Sequence, residues 1–241
     1  MARSRRLAAI APEGENVVML VDLGIAAAAA SLLVTLLVLE KRRRTWATLA
    51  AKTALSAAFV SAAVYWTVTG SAGMAGAYQR WILAGLCASL VGDVCLAIPD
   101  PRAFLAGLVA FLLGHVLYVL AFLTHPWWGA PVALGGAVVA LAGVLILAWL
   151  WPRLGPMKLP VVAYVLVIST MMTCAWSILV GGSLGPVAGP VVFAGAFLFY
   201  VSDITVARHR FVREQFENRL IGWPLYFAGQ FLIAASTGLT S

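Results

Sequence analysis

Among the few ionisable side chains set in otherwise apolar stretches are Lys52, Asp93, His115 and Asp203. A charge at the bilayer centre costs about 2.5–3.5 kcal/mol on insertion scales, so an ionisable residue retained inside a membrane span is a candidate for function. Two carboxylates, an ammonium and an imidazole in one polar cavity, with the hydroxyls of Tyr118, Tyr164 and Tyr200 nearby, would suffice for general acid–base catalysis. The same aspartates would serve as relays in a proton-coupled or ion transporter. Each residue also has a structural alternative. Asp93 and Asp203 could cap a loop, or pair with Lys52 and Arg208 to hold helices together. Lys52 could snorkel to the interface. His115, in the run Phe111-Leu112-Leu113-Gly114-His115-Val116-Leu117-Tyr118, could be a neutral interhelical hydrogen-bonder, Gln230 polar glue and Tyr226 an interfacial anchor.

The elements that must position these residues follow from composition. Of 241 residues, 63% are hydrophobic and 10% charged, against about 45–50% and about 25% in soluble domains. A soluble globule could not hide so much apolar surface. A span needs about 20 residues and short connections about ten more, which allows about eight helices and no separate soluble catalytic domain. Apolar runs bounded by charge, Gly or Pro predict spans at Val17–Leu39, Trp46–Val68, Tyr78–Ile98, Ala103–Leu123, Trp127–Trp151, Lys158–Val180, Val187–Ala207 and Leu220–Leu239. The expectation is an all-α polytopic transmembrane bundle of about eight spans. Residues 1–241 form one integral membrane domain, with 1–16 a basic tail and 17–239 the eight helices. Trp46, Trp81, Trp127, Trp128, Trp151 and Trp223 fall near run ends, as interfacial anchors do.

The net charge of +7 comes from 16 Lys and Arg against nine Asp and Glu, and the basic residues sit in blocks between apolar runs. That pattern marks topology rather than nucleic-acid binding. Arg3, Arg5, Arg6 and Arg80 fall on the side of the termini. Lys41, Arg42, Arg43, Arg44, Arg102, Arg153, Lys158, Arg208, Arg210, Arg213 and Arg219 fall on the other, which the positive-inside rule makes cytosolic. Asp93, Asp203 and Lys52 lie in the cytosolic half. Cys87, Cys95 and Cys174 lie in apolar runs without ligand spacing and read as small fillers. The start, MARSRRLAAIAPEGENVV, is broken by Pro12, Glu13 and Glu15 before a run long enough to span, which argues against a cleaved signal peptide.

Leu90-Val91-Gly92-Asp93 in the third span resembles Tyr200-Val201-Ser202-Asp203 in the seventh, and Arg and Phe follow both. Two four-span halves in parallel orientation would make the aspartates pseudo-equivalent. The stretch Gly92-Asp93-Val94-Cys95-Leu96-Ala97, with Phe104, Gly107, Phe111, Gly114-His115 and Tyr118, resembles the YhhN-like lysoplasmalogenase family. So do Lys52, Tyr164 with Ile168-Ser169-Thr170-Met171, Gly195-Ala196-Phe197-Leu198-Phe199 leading to Ser202-Asp203, and Trp223-Pro224-Leu225-Tyr226 with Gln230. The family commonly has Pro after its Lys, whereas Thr53 follows Lys52 here, so no kink is expected there.

The resemblance implies eight spans and hydrolysis of the 1-alkenyl (vinyl ether) bond of lysoplasmalogens to a fatty aldehyde and glycerophosphoethanolamine or glycerophosphocholine. A vinyl ether resists bases and nucleophiles, but protonation of its β-carbon gives an oxocarbenium ion that water attacks. The reaction needs a positioned acid, and a negative charge or base beside the cation, as in glycoside hydrolysis. Low-dielectric surroundings favour a neutral carboxylic acid, and a nearby cation holds a second one ionised. Asp93 and Asp203 are expected as the acid and base pair, with Lys52 fixing the charge of one. His115 and Tyr118 would orient water or substrate, and Arg208 and Arg210 would meet the lipid phosphate. Tyr164, Tyr200, Tyr226 and Gln230 complete the expected site. The partner is a lysophospholipid within the bilayer, with no cofactor or metal required, in a bacterial-type plasma membrane.

Overall fold

The computed structural model describes residues 2–70 and 73–240, among which no strand occurs. Eight helices are long and apolar enough to cross a membrane: α1 (Ala2–Lys41), α2 (Thr45–Thr69), α3 (Ala77–Ala97), α4 (Pro101–Phe122), α5 (Ala130–Leu150), α6 (Lys158–Gly181), α7 (Gly185–Ala207) and α8 (Phe216–Leu239). The apolar segment of α1 is Asn16–Lys41; the side chains of Arg3, Arg5 and Arg6 lie outside those described. The expected spans match these elements closely. The largest shift is in α1, which is helical from Ala2, so the expected tail joins the helix ahead of the apolar segment; α5 starts at Ala130, leaving Trp127 and Trp128 in the preceding connection, and α8 starts at Phe216.

Local chemistry sets the ends. Asp100 caps α4, its Oδ1 accepting from the amides of Arg102 at 2.7 Å and Ala103 at 3.0 Å, with Pro101 preset for the first turn. Gly182 ends α6 in the left-handed region at φ 62°. A π-helical turn, Arg208–Val212, carries the end of α7 toward α8.

Helices α2, α3, α4, α6, α7 and α8 form a closed ring in that order, with α1 outside against α2 and α5 outside against α6. The outer pair face lipid. Leu134, Val138, Leu141, Val144 and Leu145 of α5 all stand exposed, as do Val17, Leu20, Leu23 and Val34 of α1. The neighbour pattern repeats when α1–α4 are matched to α5–α8, as two parallel four-helix halves require.

The repeat extends to side-chain detail. A Cβ on Gly85 would sit 3.2 Å from the Gly114 carbonyl, and one on Gly195 would sit 2.9 Å from the Gly229 carbonyl. The reverse contacts, Gly114 to the Gly85 carbonyl at 3.2 Å and Gly229 to the Gly195 carbonyl at 2.8 Å, complete each pair. Lipid tails are as apolar as Leu, so close backbone approach at small residues is what holds such helices together. At the end remote from the basic connections, Tyr78 meets Ser236 at 2.6 Å and Gln79 donates to Thr240 at 2.7 Å, fastening α3 to α8.

Replacing Gly195 by Val forces α7 from α8. The expected outcome is a loss of about 1–3 kcal/mol, the usual range for overpacking, read as a lower thermal midpoint in detergent. Gly24, which has nothing within 4 Å of an added Cβ, tolerates Ala without change.

Candidate active site

Asp93 and Asp203 each lie one turn before the last residue of their helices, Ala97 and Ala207. Matched helix ends of the two halves therefore bring both carboxylates to the same end of the bundle, the end carrying the basic connections. Both line one cavity of about 1420 Å³ that reaches from Tyr226, Tyr164 and Lys52 to the charged connections.

The carboxylates differ in their partners. Asp93 is 1% exposed, and its Oδ1 forms an ion pair with the Lys52 ammonium of α2 at 2.9 Å. Its Oδ2 accepts from Ser56, one turn further along α2, at 2.5 Å, and from Tyr226 of α8 at 2.6 Å. Behind Tyr226 the donors continue in one direction. Tyr118 of α4 donates to Gln230 Oε1 at 2.7 Å, and Gln230 donates to the Tyr226 hydroxyl oxygen at 3.2 Å. Every proton in that chain points toward Asp93, which is the arrangement an ionised carboxylate terminates. Lys52 does not snorkel; it is spent on Asp93.

Asp203 has a sparser environment. Its Oδ2 accepts from the Tyr164 hydroxyl of α6 at 2.7 Å, and the side chain keeps 18% of its surface open. No Lys or Arg pairs with it among the described residues. His115 Nδ1 lies 2.7 Å from the Phe111 carbonyl, which only accepts, so Nδ1 carries hydrogen. Nε2 then faces Asp203 Oδ2 from 3.8 Å, too far for a hydrogen bond, and has no partner. The buried hydroxyl of Tyr200, one turn before Asp203 and lining the cavity, also lacks a partner.

Tyr118 and Gln230 are fully buried and act on the site through Tyr226. Arg208 is occupied by Asn218 and by Gln215, and so does not pair with Asp203. Arg210 lines the cavity with its guanidinium 4.2 Å over the Phe104 ring, and Arg213, Lys41 and Arg43 line the same mouth. Arg219 is neutralised by Glu40. Among the described residues no group of three or more His, Cys, Asp or Glu side chains could hold a metal ion.

Two polar residues escape a reading by type alone. Ser56 adds a third donor to Asp93; its one-turn spacing from Lys52 is the signal that would have found it. Asp22, inside the apolar part of α1, accepts from the Trp66 indole at 2.8 Å and fastens the outer helix to α2. It takes no part in the cavity.

A bundle with two carboxylates in one cavity at one end defines a class of integral membrane protein with an intramembrane polar site. The YhhN family profile matches residues 47–237, and the chain belongs to that family. It is 31% identical to the membrane protein YhhN of Escherichia coli O157:H7 over 167 residues, covering 68% of this chain and 76% of the relative. It is 37% identical to lysoplasmalogenase TMEM86B of Rattus norvegicus over 163 residues, 67% of this chain and 63% of that protein. A lysoplasmalogenase of Mycobacterium tuberculosis is 32% identical over 168 residues, 66% of this chain and 61% of that one. The match thus spans somewhat less than two thirds of the relatives that carry this activity in their names. No solved structure matches the chain.

The Lys52–Asp93 pair gives a sharp stability test. Removing one partner leaves the other charge buried and costs about 3–5 kcal/mol, whereas replacing both by neutral groups is far milder. Thermal unfolding in detergent is expected to show Lys52→Met less stable than Lys52→Met/Asp93→Asn. Equal or additive losses would mean the two charges do not compensate each other.

Proposed function

We propose that this chain is a membrane hydrolase that cleaves the vinyl ether bond of lysoplasmalogens, releasing a fatty aldehyde and glycerophosphoethanolamine or glycerophosphocholine. The observation that carries the reading is a pair of carboxylates in one cavity with unlike partners, Asp93 with a cation and Asp203 with a phenol. Vinyl ether hydrolysis asks for that division. A neutral acid protonates the β-carbon, and a retained negative charge stabilises the oxocarbenium ion that water captures as a hemiacetal. The hemiacetal collapses to aldehyde and alcohol. Relatives at 32–37% identity bear the name of this activity.

The cavity suits a single-chain lipid. Leu108 of α4, Ile146 and Leu150 of α5, and Val161, Val165 and Ile168 of α6 give it an apolar wall for the alkenyl chain. Arg210, with Arg213, Lys41 and Arg43 beside it, is suited to the phosphate, and Glu214 and Glu217 at the same mouth to an ammonium head group. Under the positive-inside rule that mouth opens to the cytosolic leaflet. The intramembrane charges gather at this end, with Lys52, Asp93 and Asp203 all lining one cavity, which favours an enzyme over a proton-coupled transporter.

The test uses detergent-purified protein and a defined 1-alkenyl lysophospholipid with no membrane gradient. Aldehyde is expected from ethanolamine or choline substrates, and none from the 1-acyl lysolipid of equal chain length. Silence on both alkenyl head groups would contradict hydrolysis and turn the reading to transport.

A further inference from the structure

The two aspartates occupy equivalent places in the two halves, yet their surroundings suit them to different tasks. Asp93 has one oxygen on the Lys52 ammonium and the other on two hydroxyl donors, with the Tyr118–Gln230–Tyr226 chain aimed at it. A proton placed on Asp93 would weaken all three of those interactions and leave Lys52 buried without its counter-charge. The counterpart position on α7, Asp203, receives one phenol. From α4 it faces His115 Nε2, whose lone pair is fixed there by the bond from Nδ1 to the Phe111 carbonyl. An imidazolium would hold its Nε2 nitrogen 3.8 Å from the carboxylate oxygen, beyond hydrogen-bond length, with the charge buried. A lone pair facing an oxygen with no cation between them fits a protonated Asp203 and repels an ionised one.

Resting on the lysoplasmalogenase reading, we infer that Asp203 carries the proton in both directions, whereas Asp93 stays a carboxylate throughout and holds Lys52 and Tyr226 in place. The proton leaves an Asp203 oxygen and bonds to the β-carbon, using the electrons of the C=C double bond. The ether oxygen's lone pair then forms the C=O⁺ bond of the oxocarbenium ion, beside the new Asp203 carboxylate. The oxygen of a water molecule bonds to the cationic carbon, and the proton it sheds returns to Asp203. Acid and base are thus the same residue at successive moments, and the site is back in its starting state once the hemiacetal releases aldehyde and alcohol.

The groups that face Asp203 are Tyr164 from α6 and His115 from α4, with the Lys52–Asp93 pair and Tyr226 lining the same cavity. Three variants separate the roles. Asp203→Asn is expected to lose about 10³-fold or more of aldehyde release, within the span general acid–base catalysis provides, and Asp203→Glu to recover part of it. Lys52→Met/Asp93→Asn removes both members of the fixed pair and is expected to keep measurable turnover, down by about 10²-fold as for a misplaced catalytic group.

Infrared spectra give a readout free of activity. The carboxylic-acid carbonyl band of the wild type is expected to vanish in Asp203→Asn and to persist in Lys52→Met/Asp93→Asn. Turnover in Asp203→Asn near the wild type, or a folded double variant as silent as Asp203→Asn, would overturn the inference. So would an acid band that survives in Asp203→Asn. A wild type that releases no aldehyde but shows the Asp203 band would sink the lysoplasmalogenase reading and leave the proton on Asp203. Comparing wild type with Asp203→Asn needs no double variant, so the test survives if the latter fails to fold.

Discussion

The structure depends on a single buried ion pair. Lys52 and Asp93 meet at 2.9 Å and are both buried, and a pair so placed persists only if its remaining hydrogen-bonding capacity is met. Ser56, Tyr226, Gln230 and Tyr118 meet it, and in doing so they link α2, α3, α4 and α8. Packing between apolar helices has no preferred rotation when lipid and core are equally apolar. A polar network supplies the preference, because a rotation of α2 or α8 would leave a charge or a hydroxyl without its partner. The interaction that fixes the ring also fixes the floor of the cavity.

The repeated arrangement of the two halves explains how two carboxylates come to share that cavity. The halves repeat their neighbour pattern, their glycine contacts and the place of their aspartates. Divergence lies in what each aspartate meets. From α2 a lysine approaches Asp93; from α6, the matching helix, a tyrosine approaches Asp203. A lysine in one half and a tyrosine in the other give the two carboxylates unlike partners without moving a helix.

Much of this was legible in the residues. The spans follow from apolar runs, and Asp93, Asp203 and Lys52 stand out because a charge in a span is rarely kept without cause. Rotation and partnership were not legible. Lys52 and Asp93 are 41 residues apart, and Tyr226 and Asp93 are 133 apart. Ser56 looks like any small residue in a membrane helix until its neighbour across the interface is known. Arg208 and Arg210 read alike in the sequence, yet the π-helical turn sends one to Asn218 and the other over Phe104 at the cavity. Tyr118 and Gln230, expected at the substrate, act one step behind it. Such distinctions depend on side-chain direction, which hydropathy does not record.

In the proposed hydrolysis, protonation of carbon is followed by attack of water on the alkenyl side. Hydrolysis in water enriched in oxygen-18 tests this directly. The glycerophospho-ethanolamine or -choline product is expected to keep its original glycerol oxygen and carry no label, because water joins the alkenyl carbon. Label in the glycerol hydroxyl would place the attack on the other side of the ether and contradict protonation of carbon.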